Sequence, residues 1–366
     1  MKVLQLGKFY PILGGVEKVM WDLTLGLSET GVDCDMLCAT TGKGGTIRLN
    51  THGNVICIKA WGKLAATMIA PGMVGWLRKH AEEYDIIHIH HPDPMACLSL
   101  YLSEYKGRVI LHWHSDIIKQ HFLLNLYAPL LKWLVRRAET VIGTTPVYLE
   151  ASPWFKDFQG KTATVPIGIK PLVVEKDAVL RWRKQFEGKK IVLSVGRLVP
   201  YKGYGYLVAA AERLGPEYQV IIAGEGPERK HLLKMIESSR RTNPVLLPGY
   251  LDDHLVHALL AACDVFVLPS VMKTEAFGIV QIEAMSLGKP VIATDIPGSG
   301  VPWVNQHGVT GLNVPVRDSD SLAEAIRRIC EDDALREEMS REALKRFDQF
   351  FTIEQMVDNT RRIYLK

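Results

Sequence analysis

The sequence predicts an α/β protein built from two doubly wound, Rossmann-like domains, and three observations carry that expectation. Apolar runs rich in Val and Ile recur between longer helical patterns, the chain pauses once near its middle, and each half opens on a strand followed by a glycine-bearing loop. Strands that alternate with helices form parallel sheets covered on both faces.

In the first half the strands are read from "VLQLG" (3–7), "DIIHIHH" (85–91), "RVILHWH" (108–114) and "TVIGTTP" (140–146). In the second they are read from "IVLSVG" (191–196), "YQVIIAG" (218–224), "VFVLPS" (265–270) and "PVIAT" (290–294). Between the two sets, "VPIGIKPLVVEKDAVLRWRKQFEGKK" (165–190) places prolines and a charged stretch, which puts the seam near 167–172. A length of 366 residues also exceeds one ordinary core, since domains usually run to about 100–200 residues. The halves look alike in plan, without a repeat at the residue level. A ligand is expected in the crevice beyond the carboxyl ends of the strands, where loops and helix N-termini converge.

Composition narrows the functional classes. A chain 47% hydrophobic and 23% charged is globular rather than disordered. The net charge of +4 and a pI near 8.6 suit an anionic ligand or an acidic membrane surface and fall short of a dedicated nucleic-acid binder. Six cysteines at 34, 38, 57, 97, 263 and 330 form no CxxC pair, which fits reduced thiols in a cytoplasmic protein, with Cys34 and Cys38 in the core. The opening "MKVLQLGKFY" reads as a first strand rather than a secretion signal. No run of 18 or more uninterrupted apolar residues offers a membrane-spanning helix.

Two stretches of the second half carry chemistry. In "GRLVPYKGYGYL" (196–207), Arg197 follows a strand and Lys202 precedes a helix. Two cations beside a helix N-terminus suit a diphosphate, because guanidinium, ammonium and unpaired backbone N–H groups all favour negative charge. The plainer alternative is solvated surface. In "SVMKTEAFGIVQIEAMSLGKP" (270–290), a helix starts around Gly278 and ends at Gly288, before Pro290. Gly278 and Ile279 would offer N–H groups to a phosphate. Glu275 precedes the turn and Glu283 lies beyond it, roughly 10 Å away at about 1.5 Å per helical residue. Carboxylates accept hydrogen bonds from vicinal hydroxyls, so each acid could grip a ring on either side of a diphosphate. A dipole-favoured N-terminal acid with a solvated mid-helix Glu is the competing reading.

Taken together, "GRLVPYKG" (196–203), "AGEGP" (223–227), "LPGYL" (247–251), "EAFGIVQIEAM" (275–285), "HGVTGLNVP" (307–315) and "PILGGVEKV" (11–19) resemble the retaining glycosyltransferases of family 4, over essentially the whole chain. The resemblance implies the two-domain GT-B fold, with acceptor binding in 1–168 and nucleotide-sugar binding in 169–351. Residues 352–366 resemble the family's terminal helix that crosses back onto the first domain. By position, Arg197 and Lys202 are similar to the diphosphate ligands that stabilise the leaving group. Glu275, with Ala276 and the backbone at Phe277, Gly278 and Ile279, resembles the donor-sugar clamp, and Glu283 the ribose ligand. Gly14 and Gly15 match the loop that approaches the phosphates, with Glu17 starting the next helix; Gly249, Tyr250 and Leu251 occupy the base-binding stretch. In "LHWHSD" (111–116), His114 matches the histidine that faces the donor sugar, and Asp116 with His114 is the candidate acceptor contact. The resemblance implies a catalytic set of His114, Glu275, Arg197 and Lys202, with no cofactor and no metal.

"HWHSDIIKQ" and "GSGVPWVNQHGVTGLNVPV" (298–316) look most like bacterial mannosyl/rhamnosyl-type enzymes of O-antigen and surface-polysaccharide synthesis. That similarity implies GDP-mannose as the first donor, UDP-sugars next, and an acceptor saccharide on polyprenyl diphosphate at the cytoplasmic leaflet of the inner membrane. A peripheral contact with anionic lipid is expected from the basic, aromatic stretches 116–139 and 61–80, with Lys119, Lys132, Arg136 and Arg137 beside anchors Trp61, Trp76 and Trp133. Two core helices with solvated basic edges are the other reading. Three further alternatives stand beside these: a metal held by His88, His90, His112 and His114, which alternate along two strands; a nucleotide-sugar 2-epimerase of the same fold; and a non-catalytic nucleotide-sugar-binding protein.

Overall fold

The structure, a computed structural model of the chain, describes all residues except 13, 65–66, 118–120, 157, 159 and 240–242, and of 121–122 only the backbone. It divides into two compact units, Met1–Gly168 with Ile353–Lys366, and Ile169–Thr352.

The first unit is built on an eight-stranded sheet. Its strands are β1 (Lys2–Tyr10), β2 (Asp33–Thr40), β3 (Gly45–Asn50), β4 (Gly53–Lys59), β7 (Ile86–His91), β8 (Arg108–Trp113), β9 (Thr140–Gly143) and β10 (Lys161–Thr164); β5 (Gly62–Leu64) and β6 (Thr67–Ile69) form a separate hairpin. The order is β10-β9-β8-β7-β1-β2-β4-β3, parallel throughout except for β3 against β4. From the central β1 the chain moves first to β2 on one side and later to β7 on the other. That reversal opens a crevice at the carboxyl ends of β1 and β7, where ligands bind in doubly wound sheets. The strands read as continuous buried runs because both faces are covered: Ile86–His91 is buried at all six positions. Helix Ile353–Tyr364 completes this unit, its Val357 lying against Gly26 of helix Gly15–Glu29, where a side chain on Gly26 would collide with it.

The second unit carries β11 (Lys190–Val195), β12 (Tyr218–Ala223), β13 (Leu246–Gly249), β14 (Val265–Leu268), β15 (Val291–Asp295) and β16 (Gly311–Pro315) in the order β13-β12-β11-β14-β15-β16, all parallel. Its switch point lies between β11 and β14, whose following loops hold Lys202 and Glu275. All six cysteines are buried free thiols.

The two basic stretches divide differently from the expectation. The described residues of 61–71 are not helical. Gly62–Leu64 and Thr67–Ile69 pair as the hairpin, and the helix begins only at Gly72, since Pro71 lacks an N–H and disfavours helix in the residue before it. Helix His121–Arg137 buries Tyr127, Leu131, Leu134 and Val135, while Leu126 is 69% exposed and Lys132 and Arg136 face out. Trp133 packs edge-on against Tyr101, Trp76 packs against His80 and Tyr84, and only Trp61 is fully outside, at 82% exposure. Lys119 lies outside the described residues. Among the described residues no helix is long and apolar enough to cross a membrane.

Candidate functional site

In the second unit the site is assembled by three loops at the carboxyl edge of the sheet. After β11 the chain makes a single 3-10 turn, Pro200–Lys202, with proline at its start setting φ. Gly203 then adopts φ +68°, and a Cβ there would run into the carbonyl oxygen of Pro269. Only glycine allows the two loops this approach. The Val271 N–H donates to the Tyr201 carbonyl at 2.8 Å, which fixes their register. The loop after β15 closes the set: the Gly300 N–H donates to the Ala276 carbonyl at 2.9 Å, and the Ser299 hydroxyl to the Glu275 carbonyl at 2.5 Å.

This framework brings Lys202 Nζ to 2.6 Å from Glu275 Oε2, with both side chains about nine-tenths buried. The Ser270 hydroxyl donates to the same carboxylate oxygen at 2.8 Å. Burial penalises the Lys202 ammonium, but the neighbouring Glu275 carboxylate and Tyr204 more than offset that penalty, so its pKa stands above the ordinary lysine value. The reading from spacing put a cation and an acid here separately; the fold makes them one ion pair. The Lys202 ammonium is therefore desolvated and held in place by its acid partner.

Gly278, at φ +73°, precedes helix Ile279–Ser286, and no side chain caps that helix. A Cβ on Gly278 would lie 2.7 Å from Leu268 Cδ2. The backbone N–H groups of the first turn thus have no side-chain cap, the arrangement that favours an anion at a helix N-terminus. The Phe277 side chain anchors the loop: it is buried and edge-on to Phe351 at 5.9 Å. Glu283 is half-buried on the same helix, and Arg197 is exposed beyond β11. Gly249 ends β13 at φ +87°, Tyr250 is 75% exposed and Leu251 half-buried.

Sequence reasoning missed the residues that hold this loop. Ser270, Ser299 and the buried Thr294, whose hydroxyl donates to the Ser270 carbonyl, bind it from three sides. Fully buried Gln281 donates to the Phe277 carbonyl at 2.8 Å, and its Oε1 has no partner among the described residues. Small hydroxyls carry no periodic signal; only their place at or just beyond the ends of strands could have flagged Ser270 and Thr294.

In the first unit, Gly14 and Gly15 are exposed, Gly14 precedes helix Gly15–Glu29, and buried Glu17 lies in its first turn. At the switch point stands a pair that spacing did not reveal: the Lys8 backbone N–H donates to Asp93 Oδ2 at 2.5 Å, and Lys8 Nζ donates to the Pro92 carbonyl at 2.5 Å. Burial lowers the Lys8 pKa against the pull of Asp93 and Glu17. Asp116, expected at the acceptor, has Oδ1 accepting from Trp113 Nε1 and the Ser152 hydroxyl, both at 2.9 Å, which ties the loop after β8 to 146–155.

His88, His90, His112 and His114 form a buried stack, with ring centroids 4.1–5.3 Å apart. Burial holds each imidazole far below its ordinary pKa, His112 at about 3, so all are neutral. Ring nitrogens of His88, His90 and His112 approach within 4.8 Å of one another. Yet both nitrogens of His90 already face hydrogen-bond partners, Gln5 Oε1 at 2.7 Å and His114 Nε2 at 2.9 Å, and His88 Nδ1 faces the Tyr364 hydroxyl at 2.5 Å. The rings stack on one another, and hydrogen bonds account for only part of the cluster: His88 Nε2, both nitrogens of His112 and His114 Nδ1 have no partner among the described residues. His114 is 4% exposed, at the strand end nearest the crevice.

Comparison with known proteins bears on both units. Residues 13–170 match the model described as Glycosyltransferase Family 4, and residues 177–346 the one described as Glycosyl transferases group 1. O-antigen chain mannosyltransferase C of Escherichia coli is 30% identical over 369 residues, covering 100% of this chain and 98% of its own. D-rhamnosyltransferase WbpZ of Pseudomonas aeruginosa is 31% identical over 358 residues, with 96% and 92% covered. Among solved structures, sucrose-phosphate synthase from Thermosynechococcus elongatus superposes with a TM-score of 0.81 at 23% identity, covering 100% of this chain and 98% of that one. HepE of Anabaena, in complex with UDP, gives 0.79 at 22%, with 100% and 99% covered.

Proposed function

Because the chain belongs to glycosyltransferase family 4 and has its GT-B fold, we propose that it is a retaining, metal-independent hexosyltransferase of O-antigen or related surface-polysaccharide synthesis. The donor is a nucleotide-diphosphate sugar, GDP-mannose first and a UDP-sugar second. The acceptor is a saccharide on polyprenyl diphosphate at the cytoplasmic face of the inner membrane. The mannosyl and rhamnosyl activities in the names of two relatives matched over nearly their full length support this sugar class.

The observation that carries the reading is the buried Lys202–Glu275 pair at the switch point of the second unit. Sugar transfer leaves a nucleotide diphosphate carrying the charge of the broken bond, and groups fixed in a dry site stabilise that charge best. Lys202 supplies a buried ammonium, Arg197 a guanidinium and the turn at Gly278–Ile279 backbone N–H groups. Glu275 and Glu283 accept from hydroxyls of the hexose and the ribose, and Gly249 to Leu251 flank the base. With these cations present a metal is dispensable. Departure of the diphosphate with acceptor attack on the same face gives retention.

The direct test is a thermal-shift panel of GDP-, UDP-, ADP- and dTDP-sugars in EDTA, followed by transfer assays with the best binder. GDP-mannose is expected to raise the melting temperature most, since a ligand that binds only the folded state stabilises it. A larger shift with another base corrects the donor, and no shift from any of them rejects the reading.

Membrane contact is proposed through the exposed Leu123, Leu126, Lys132 and Arg136 of helix His121–Arg137. Co-sedimentation with vesicles containing anionic lipid, abolished in Leu126→Glu/Arg136→Glu, is the expected result. Equal binding to neutral vesicles would show that the basic side chains are idle.

A further inference from the structure

The buried histidines are linked through two residues far apart in the chain. Gln5 Nε2 donates to the Tyr364 hydroxyl at 2.9 Å, and that hydroxyl lies 2.5 Å from His88 Nδ1. Gln5 Oε1 faces His90 Nε2 at 2.7 Å, and His90 Nδ1 faces His114 Nε2 at 2.9 Å. Every member is buried, from 0% exposure at Gln5, His88 and His90 to 4% at His114. In such surroundings each neutral imidazole holds one proton, and each contact needs one donor and one acceptor.

Those two conditions fix every proton along the chain. Gln5 Oε1 can only accept, so His90 carries its proton on Nε2 and its Nδ1 is a bare lone pair. The nitrogen facing that lone pair must donate, so His114 is protonated on Nε2. Its Nδ1 is then unprotonated, and it has no partner among the described residues. At the other end the Tyr364 hydroxyl, already accepting from Gln5, donates to His88 Nδ1. The second hydrogen of the Gln5 amide points to Cys34 Sγ at 3.7 Å, which keeps both amide hydrogens occupied. Turning the amide over would reverse each donor and move the His114 proton to Nδ1.

We propose that Tyr364 and Gln5 are positioning residues, holding His114 through His90 as the Nε2–H tautomer so that its bare Nδ1 accepts a hydrogen bond from a substrate hydroxyl. The functional half of this inference rests on the reading of His114 as a donor-sugar contact; the tautomer half does not. A group selected this way is a hydroxyl, which can donate, and not a phosphate oxygen, which cannot.

The two halves are tested separately. In protein labelled with 15N-histidine, with His114 assigned by its loss in His114→Asn, Nδ1 is expected to show the shift of an unprotonated ring nitrogen and Nε2 that of a protonated one. A proton on Nδ1 overturns the relay. In Tyr364→Phe, which keeps the ring and drops only the hydroxyl, the Gln5 amide loses its orienting partner and the His114 signals are expected to become a mixture of tautomers. The same variant should lower kcat/KM by about three- to tenfold, the share of one neutral hydrogen bond. A donor lacking the contacted hydroxyl should slow the unaltered enzyme and add little to the defect of Tyr364→Phe. A changed tautomer with unchanged kinetics overturns the role of His114 at the sugar and leaves the relay standing; an unchanged tautomer in Tyr364→Phe removes Tyr364 from it.

Discussion

Exchanging Lys202 for alanine is expected to lower sugar transfer by about a hundred- to a thousandfold, the usual effect of deleting one fixed group that meets charge developing in the transition state. The loss should fall mainly on kcat, because in the proposed reaction the diphosphate gains charge as it departs. Glu275→Ala should impair transfer as well, by freeing the ammonium from its position and removing a hydroxyl acceptor. Both substitutions also leave one buried charge alone, at a cost of about 3–5 kcal/mol, so melting temperatures must be measured beside the rates. The double variant Lys202→Met/Glu275→Leu separates the two effects. It removes both charges together, should regain much of the lost stability, and should stay inactive. Because the Lys202 pKa is raised, the ammonium stays charged across the neutral range, and its contribution disappears only as pH climbs past its folded value. Undiminished transfer in both single variants would refute the site.

The second large effect is acid sensitivity of the first unit. His88, His90, His91, His112 and His114 are buried and neutral, each with a folded pKa depressed by burial, His112 to about 3. Unfolded histidines take up protons below about 6.5 and these do not, so stability is full above that pH and drains away as pH falls through it. Each site contributes a slope of about 1.4 kcal/mol per pH unit, and five together would remove at most about 7 kcal/mol by pH 5.5, set against a typical total of about 5–15. For His112 the loss continues down to about pH 3. Nearby Lys8 adds to the penalty on His90, His91 and His114. Amide exchange in β7 and β8, corrected for intrinsic pH dependence, should accelerate steeply between pH 7 and 5.5, and His112→Phe should flatten the slope by about one proton. Protection that is constant over that interval would contradict the burial of these rings as neutral species.

The doubly wound architecture was legible because its central strands are apolar on both faces: "VFVLPS" and "YQVIIAG" announce themselves without reference to anything they touch. The strands that spacing missed lie toward the edges or mix polar residues into the run. β2 contains Asp33 and Asp35, β3 is largely exposed, and β13 includes Pro248. Among site residues, charged groups beside strand ends could be nominated from the sequence, since such positions face the crevice in any doubly wound sheet. Their pairing could not. That Lys202 meets Glu275, or that Asp116 turns back to Trp113 and Ser152, depends on loop paths fixed by contacts such as Gly203 against Pro269. The link from Gln5 to Tyr364 joins positions 359 residues apart, and no local pattern records it.

The placement of helix Ile353–Tyr364 on the first unit has a consequence for biosynthesis. All ten strands of that unit leave the ribosome before any part of the helix that covers Gln5 and His88, and residues 169–352 are made in the interval. At roughly 5–20 residues per second the nascent chain waits on the order of ten to forty seconds with a polar, histidine-lined seam still uncovered. The uninterrupted unit can close first, and the one begun earlier finishes later.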